Sequence, residues 1–142
     1  IDPNFFKPNY DEIVETIRLV APYFDDFILE PQEGNEEQIV LRWRQTGCED
    51  VFNASQLSDG TLRFICLTTL LLQPHELQPA TIIIDEPELG NPYAITIFSE
   101  IVRQLSNEKQ IIISTQSVEL LNEFDVEDVM IRYNNLRKLK TA

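Results

Sequence analysis

The chain carries few basic residues for its length. Its 142 residues include 11 Lys and Arg against 24 Asp and Glu, which gives a formal net charge of −13 at pH 7. A surface this acidic repels phosphate backbones, so the composition argues against direct nucleic-acid binding by this chain. The only candidate for a basic patch is the tail segment with Arg137, Lys138 and Lys140.

Histidine, cysteine and long apolar runs are also scarce. A metal centre cannot be built around the single histidine, His75, and two cysteines, Cys48 and Cys66, are too few for a disulfide framework. This cysteine usage favours a reducing compartment. No apolar run reaches the roughly 18–20 residues that span a membrane, and the first three residues do not open a signal peptide. We therefore expect a soluble, cytoplasmic domain, and the missing initial methionine suggests a fragment or a processed product.

The first 52 residues predict a helix followed by a β-hairpin. Apolar residues recur at helical spacing over Asp11–Val20. The run Phe27–Leu29 and the alternating segment Ile39–Arg44 predict two strands joined through a turn near Gly34. Trp43 has two interpretations, base stacking with nucleic acid or cross-strand packing, and the alternation favours packing.

The second half of the chain alternates strands and helices. The predicted elements are a buried helix (Leu62–Leu72), a central strand buried on both faces (Thr81–Asp85), an amphipathic helix (Pro92–Leu105), a second strand (Ile111–Ser114), a short helix (Val118–Phe124) and a third strand that begins with Val129–Ile131. This order predicts an α/β fold with a mainly parallel sheet and right-handed crossovers.

Two of these strands end in polar residues, at the edge where parallel sheets bind ligands. Asp85 and Glu86 end the first strand, and Ser114–Gln116 end the second. A buried strand ending in Asp-Glu is the Walker B pattern, in which Asp85 would hold Mg²⁺ and Glu86 would face an attacking water. The alternative is that Asp85, Glu86 and Glu88 only cap the helix that follows.

A polar segment upstream predicts a helix start that could receive an anion. Within Leu57–Thr61, Ser58 and Asp59 are good N-cap residues, and Gly60 lets the backbone pass close to a bound group. Free amides at a helix N-terminus attract anions. The position of this segment upstream of the Asp-Glu strand, more than its own sequence, makes it informative.

Together these segments resemble the C-terminal half of an ABC-type ATPase. Ala54–Phe64 is similar to the signature segment of these proteins, and Ile82–Gly90 is similar to their Walker B segment. The branch that they resemble most is that of the RecF/SMC-like ATPases, a group of AAA-type ATP-binding proteins. The resemblance covers residues 53–124. It implies a P-loop NTPase-like fold, ATP and Mg²⁺ as ligands, and an ATP-dependent homodimer.

The resemblance also implies roles for individual residues at the nucleotide. Asp85 would be the Walker B acid near Mg²⁺, and Glu86 would be the general base or the residue that orients the attacking water. Gln116 would occupy the switch position that senses the γ-phosphate.

A second set of implied roles concerns the partner subunit. The signature loop, which touches the γ-phosphate of ATP bound to the opposite subunit, would consist of Leu57, Ser58, Asp59, Gly60 and Thr61. Ser58 would donate its hydroxyl and Gly60 its backbone amide. Leu89, Gly90 and Asn91 would form the D-loop, which crosses the dimer interface.

Three features depart from the family pattern. Many relatives have His where Gln116 stands, and an amide can hydrogen-bond a phosphate but carries no charge. The D-loop is one residue short, because Gly90 is followed directly by Asn91 and Pro92. This either alters the dimer contact or reflects residues missing from the sequence.

The third departure is the absence of a P-loop. That motif needs Gly-x-x-x-x-Gly-Lys-Ser/Thr, because its amides and its Lys neutralise the phosphates. None of the four glycines is followed by Lys. We therefore expect the P-loop lobe to lie in an N-terminal segment outside this chain, and the chain alone to bind ATP weakly or not at all.

The sequence thus predicts one domain in two regions, a helix and hairpin at 1–52 and an ABC-type ATPase C-terminal lobe at 53–142. The leading hypothesis is part of an ATP-hydrolysing protein that is inactive without its P-loop lobe. The alternative is a non-catalytic interaction domain that keeps the scaffold, favoured by the missing P-loop, by Gln116 and by the short D-loop. A Mg²⁺-dependent nuclease using Asp85, Glu86 and Glu88 lacks a cation to hold a nucleic-acid strand.

Overall fold

The fold combines antiparallel strands in the first half with parallel strands in the second. The computed structural model describes residues 6–32 and 34–131. Its helices are α1 (Lys7–Val20), α2 (Asp59–Leu72), α3 (Pro92–Leu105) and α4 (Val118–Leu121). Its strands are β1 (Phe24–Ile28), β2 (Pro31–Gln32), β3 (Asn35–Ile39), β4 (Arg42–Gln45), β5 (Val51–Asn53), β6 (Thr81–Asp85) and β7 (Gln110–Ser114). The α/β class expected from the sequence is confirmed. None of the helices in these two ranges is long and apolar enough to cross a membrane.

The N-terminal region contains the predicted helix and hairpin, with three differences. α1 begins at Lys7, before the predicted start at Asp11, because Pro8 lies in the first turn, where a missing amide N–H is tolerated. β1 pairs antiparallel with β4, as predicted, but the residues between them form a separate small hairpin of β2 and β3. β5 was not predicted, since its three residues are too few to show a period, and it pairs with the other edge of β4.

Trp43 lies in the core beneath this sheet. Its side chain is buried, and its ring stacks on Phe52 with the centroids 5.0 Å apart. Its Nε1 donates a hydrogen bond to the carbonyl of Asn53 at 3.1 Å. The same cluster includes Phe24 from β1 and Leu57 from the segment before α2. The packing interpretation of Trp43 is therefore confirmed, because a ring buried in this way is closed to a nucleic-acid base.

β6 and β7 form the parallel pair on which the candidate site depends. Their register sets Thr81 opposite Gln110 and Asp85 opposite Ser114. Both strands are rich in β-branched residues, which fit a pleated, packed surface. The two strand ends therefore meet at one edge, as the sequence predicts.

Only one face of this strand pair is covered in the described residues. Ile82 and Ile84 are buried against α2 and α3, whereas Ile83 is 72% exposed and Ile112 is 48% exposed. The prediction that Thr81–Asp85 is buried on both faces is therefore wrong for this part of the chain. The apolar run suits two covered faces, but both packing helices lie on the same side of the strands.

α2 is amphipathic rather than buried all round. Its buried side chains are Phe64, Ile65, Thr68 and Leu71, and they contribute to two hydrophobic clusters. Cys66 and Arg63, by contrast, are exposed. The prediction of a buried helix over Leu62–Leu72 is thus wrong in extent, because one stripe of α2 faces away from both clusters. The helix ends at Leu72, as predicted.

The third predicted strand does not form within the described residues. Val126–Asp128 make a turn of 3₁₀ helix, and Val129–Ile131 continue without strand pairing. Met130 is 94% exposed, since no neighbouring strand of the described ranges reaches it. The basic residues of the tail lie outside the described residues.

Candidate functional site

Asp85 and Ser114 form the edge of the site. They end β6 and β7, face each other in register, and both belong to the uncovered face of the strand pair. The Ser114 hydroxyl donates a hydrogen bond to Oδ1 of Asp85. The Asp85 carboxylate is therefore fixed at the carboxyl end of the strands, where parallel sheets bind ligands.

Glu86 has a left-handed backbone conformation, with φ of 47°. It is the one non-glycine residue of the described ranges with positive φ. Its backbone N–H donates to the carbonyl of Ser114 at 2.8 Å, and its own carbonyl accepts the N–H of Glu88 at 2.8 Å. The left-handed region costs a residue with a Cβ about 1–2 kcal/mol, and such strain persists where the surrounding structure imposes it, often at functional sites.

Gln116 holds the carboxylate of Glu86. Its backbone N–H donates to Oε2 at 3.2 Å, and its side-chain Nε2 donates to Oε1 at 3.4 Å. Both acids are thus anchored to the segment that ends β7, Asp85 by Ser114 and Glu86 by Gln116. An open groove of about 340 Å³ borders Glu86, Gly90 and Thr115, so the acid is accessible from this side.

The residues after Glu86 make a turn that leads into α3. Pro87 and Leu89 are buried, and Gly90 takes a positive φ of 66°. The N-cap of α3 is Asn91, whose side-chain oxygen accepts from the backbone N–H of Tyr93 at 2.9 Å. The alternative that Asp85, Glu86 and Glu88 cap this helix is therefore wrong.

Ser58 is the N-cap of α2. Its Oγ accepts from the backbone N–H of Thr61 at 3.1 Å and lies 2.8 Å from the Thr61 hydroxyl. The helix therefore begins at Asp59, one turn before the apolar run. Leu57 is buried in the N-terminal core and anchors the segment, whereas Ser58 and Asp59 are exposed.

The start of α2 packs against the turn that follows β6. A Cβ added at Gly60 would lie 2.8 Å from the carbonyl oxygen of Leu89. Arg63 pairs with the carboxylate of Glu88 at 2.5 Å, and its guanidinium also reaches the Glu88 carbonyl at 3.4 Å. Neither contact was predicted from the sequence. Arg63 could have indicated a polar contact, because it is the one charged residue in the apolar run Leu62–Leu72.

The predicted site residues thus fall into two groups. Asp85, Glu86 and Gln116 meet at the strand ends, and the Ser58–Thr61 segment meets the turn at Leu89. No hydrogen bond or ion pair in the described ranges joins the first group to the second. In the same part of the chain, no three acidic, histidine or cysteine side chains converge on one metal position.

A protein-family model matches residues 2–122 of the chain, and its description is "AAA domain, putative AbiEii toxin, Type IV TA system". The chain belongs to this AAA family. A search of curated proteins finds no match for this AAA domain.

Solved structures of SMC head domains share the fold of this AAA domain. One is an SMC head bound to the C-winged helix domain of ScpA, with TM-score 0.63 and 16% identity over 83% of this chain and 37% of that one. Another comes from work on ATP-driven dimerization and DNA-stimulated activation of SMC ATPases, with TM-score 0.61 and 16% identity over 84% and 74%. The SMC head of Thermotoga maritima has TM-score 0.54 and 19% identity over 86% and 42%. The AAA domain therefore spans less than half the length of two of these three chains.

The strained backbone of Glu86 gives a prediction about stability. Glu86→Gly should leave this AAA domain about 1 kcal/mol more stable than Glu86→Ala, because glycine adopts positive φ without a Cβ penalty. In an ordinary helix or strand the order is the reverse. Urea unfolding of the two variants measures the difference, and a more stable alanine variant would show that position 86 is not held in the left-handed region.

Proposed function

We propose that this AAA domain is part of a cytoplasmic ATP-hydrolysing ABC-type ATPase of the RecF/SMC-like branch. Residues 53–142 would form the C-terminal lobe of that ATPase, and residues 1–52 would form a helix and hairpin region that precedes the lobe. The observation that carries the proposal is the pair of acids at the carboxyl end of a parallel strand, with Asp85 anchored by Ser114 and Glu86 by Gln116. Membership of an AAA family and an SMC-head fold support it.

The donor set at the strand ends fits a magnesium ion. Mg²⁺ is bound by oxygen ligands and usually takes one or two carboxylates together with waters and substrate phosphates. Asp85 offers an exposed carboxylate of this kind, and Oδ2 accepts no hydrogen bond from the described residues. When bound, the ion would neutralise charge on the phosphates.

Glu86 and Gln116 would act on the attacking water. The Glu86 carboxylate borders an open groove and is held by two donors from Gln116. An anchored carboxylate can accept a proton from water or orient that water for in-line attack. Gln116, as a neutral amide, would position Glu86 and contact the γ-phosphate without adding charge.

The signature segment and the D-loop would face a second subunit. Ser58 caps α2, and Asp59, Gly60 and Thr61 form its first turn. The first amides of a helix have no partner within the helix and favour an anion, although here Ser58 already accepts the amide of Thr61. These residues, with Leu57 behind them, would meet the γ-phosphate bound by the partner, and Leu89, Gly90 and Asn91 would cross the interface. ATP-driven dimerization has been studied in SMC ATPases of this fold, which supports an ATP-dependent homodimer.

A P-loop lobe would complete the nucleotide site. The chain has no Gly-Lys pair to cradle the phosphates, and it spans 37% of one SMC head chain. The uncovered face of β6 and β7, with Ile83 and Ile112, offers an apolar surface of the kind that parallel sheets normally cover. We assign this face to the P-loop lobe.

The test is Mg²⁺-dependent ATP turnover by the protein that joins this chain to its P-loop lobe, compared with the chain alone. Turnover only by the joined protein is the expected result. No turnover by the joined protein would favour the second candidate, a non-catalytic interaction domain, which Gln116 and the short D-loop also support.

Ile83→Asp tests the assignment of the open face. Because Ile83 is 72% exposed, the change should not affect folding of the isolated chain. It should weaken binding to a separately produced P-loop lobe by at least about 100-fold, since an unpaired buried charge costs several kcal/mol. Calorimetric titration measures the affinity, and Val126→Asp, at a position 90% exposed, is the matched control. Equal affinity for both variants would place the lobe elsewhere.

A further inference from the structure

Ser114 bonds to both acids of the site. Its hydroxyl donates to Oδ1 of Asp85, and its backbone carbonyl accepts the N–H of Glu86 at 2.8 Å. The first bond depends on the register of the parallel strands, which sets Ser114 opposite Asp85 on the same exposed face. The short hydroxyl side chain makes this contact while the backbone of Ser114 continues the strand pairing.

We propose that Ser114 is a positioning residue of the ATPase site, an inference that rests on the function proposed above. Its hydroxyl fixes the rotamer of Asp85 through Oδ1 and leaves Oδ2 for the magnesium ion. Residues that orient a metal ligand in this way change metal affinity by about 10- to 100-fold when they are removed. Ser114 acts through Asp85 and does not itself contact the ion.

Exposure separates this role from a purely structural one. Ser114 and Asp85 are both exposed at the end of the strand pair, where water can replace a lost hydrogen bond. A hydrogen bond of that kind adds little to folding stability. The strand pair itself is held along five registered positions from Thr81 to Asp85. Loss of the Ser114 hydroxyl should therefore change metal binding much more than stability.

The same two strands provide a matched control at their opposite end. Thr81 donates from Oγ1 to Oε1 of Gln110 at 3.1 Å, so it also makes a hydroxyl contact across β6 and β7 on the exposed face. Thr81→Val removes this hydroxyl far along the strands from Asp85. It should leave the metal dependence unchanged, because it touches neither acid.

The experiment compares Ser114→Val and Ser114→Thr, which differ only in a methyl against a hydroxyl, in the protein that joins this chain to its P-loop lobe. With a non-hydrolysable ATP analogue present, the electron paramagnetic resonance signal of free Mn²⁺ gives the metal affinity of each variant. Ser114→Val should bind Mn²⁺ about 10-fold more weakly and need correspondingly more Mg²⁺ for half-maximal turnover, with near-normal kcat at saturation. Ser114→Thr should behave like the unchanged protein.

The outcomes separate this inference from the function on which it rests. If the unchanged protein hydrolyses ATP and Ser114→Val binds Mn²⁺ as tightly as Ser114→Thr, the role of Ser114 is refuted and the ATPase function stands. If Thr81→Val weakens Mn²⁺ binding as much as Ser114→Val does, the effect comes from strand pairing, and the role of Ser114 is likewise refuted. If the unchanged protein neither binds metal with nucleotide nor hydrolyses ATP, both proposals fail.

Discussion

Glu86→Gln should reduce ATP turnover by at least about 100-fold in the protein that joins this chain to its P-loop lobe. A positioned general base typically contributes 10²–10⁴-fold to a rate, and the amide cannot accept the proton of the attacking water. Gln has nearly the same size, and its remaining oxygen can still accept one of the two Gln116 bonds. ATP binding should therefore persist, which steady-state turnover and a separate nucleotide-binding titration can measure.

The control for this variant is Glu100→Gln. Glu100 is an exposed carboxylate on α3, outside both groups of candidate residues. The substitution Glu100→Gln removes the same charge from an already acidic chain, so it controls for any general effect of net charge on nucleotide binding. Undiminished turnover in Glu86→Gln would reject the role assigned to Glu86. An equal loss in both variants would point to overall charge instead.

The positions of the two acids were largely predictable because strand chemistry is local. The β-branched run before Asp85 and the similar run before Ser114 predicted two adjacent parallel strands, and their common direction brought both polar ends to one edge. Ser58 was predictable as a helix cap for the same reason, since its side chain bonds to a backbone N–H only three residues away. Such features need no knowledge of distant neighbours.

Other features depend on neighbours that the sequence pattern does not identify. Hydrophobicity marks Ile83 as a residue that can be buried, but whether it is covered depends on which side α2 and α3 pack. The left-handed conformation of Glu86 was not predictable either, because glutamate has no preference for it. In the structure Glu86 bonds through its backbone N–H to Ser114, through its carbonyl to the N–H of Glu88 and through its carboxylate to Gln116, and two of these contacts depend on the register between strands.

Gly60 was predicted as a site residue, and the structure gives a second reason for a glycine at this position. The sequence suggested that Gly60 lets the backbone approach a bound phosphate. The structure adds a contact within the same chain, since a Cβ at this position would lie 2.8 Å from the carbonyl oxygen of Leu89. Leu89 is itself buried, at 3% exposure, so the turn has little room to retreat. The two explanations predict different measurements.

Gly60→Ala should therefore destabilise the domain by about 1–3 kcal/mol, the usual cost of forcing an extra carbon into a packed contact. Helix propensity alone predicts the opposite sign, because alanine is favoured over glycine by about 1 kcal/mol in a helix interior. Urea unfolding of the chain without nucleotide decides between them, with Asp59→Ala as a control in the same exposed turn. A loss of stability without ligand shows that Gly60 is needed for the approach of α2 to the turn after β6. A stable variant that still abolished turnover would instead assign Gly60 to the phosphate alone.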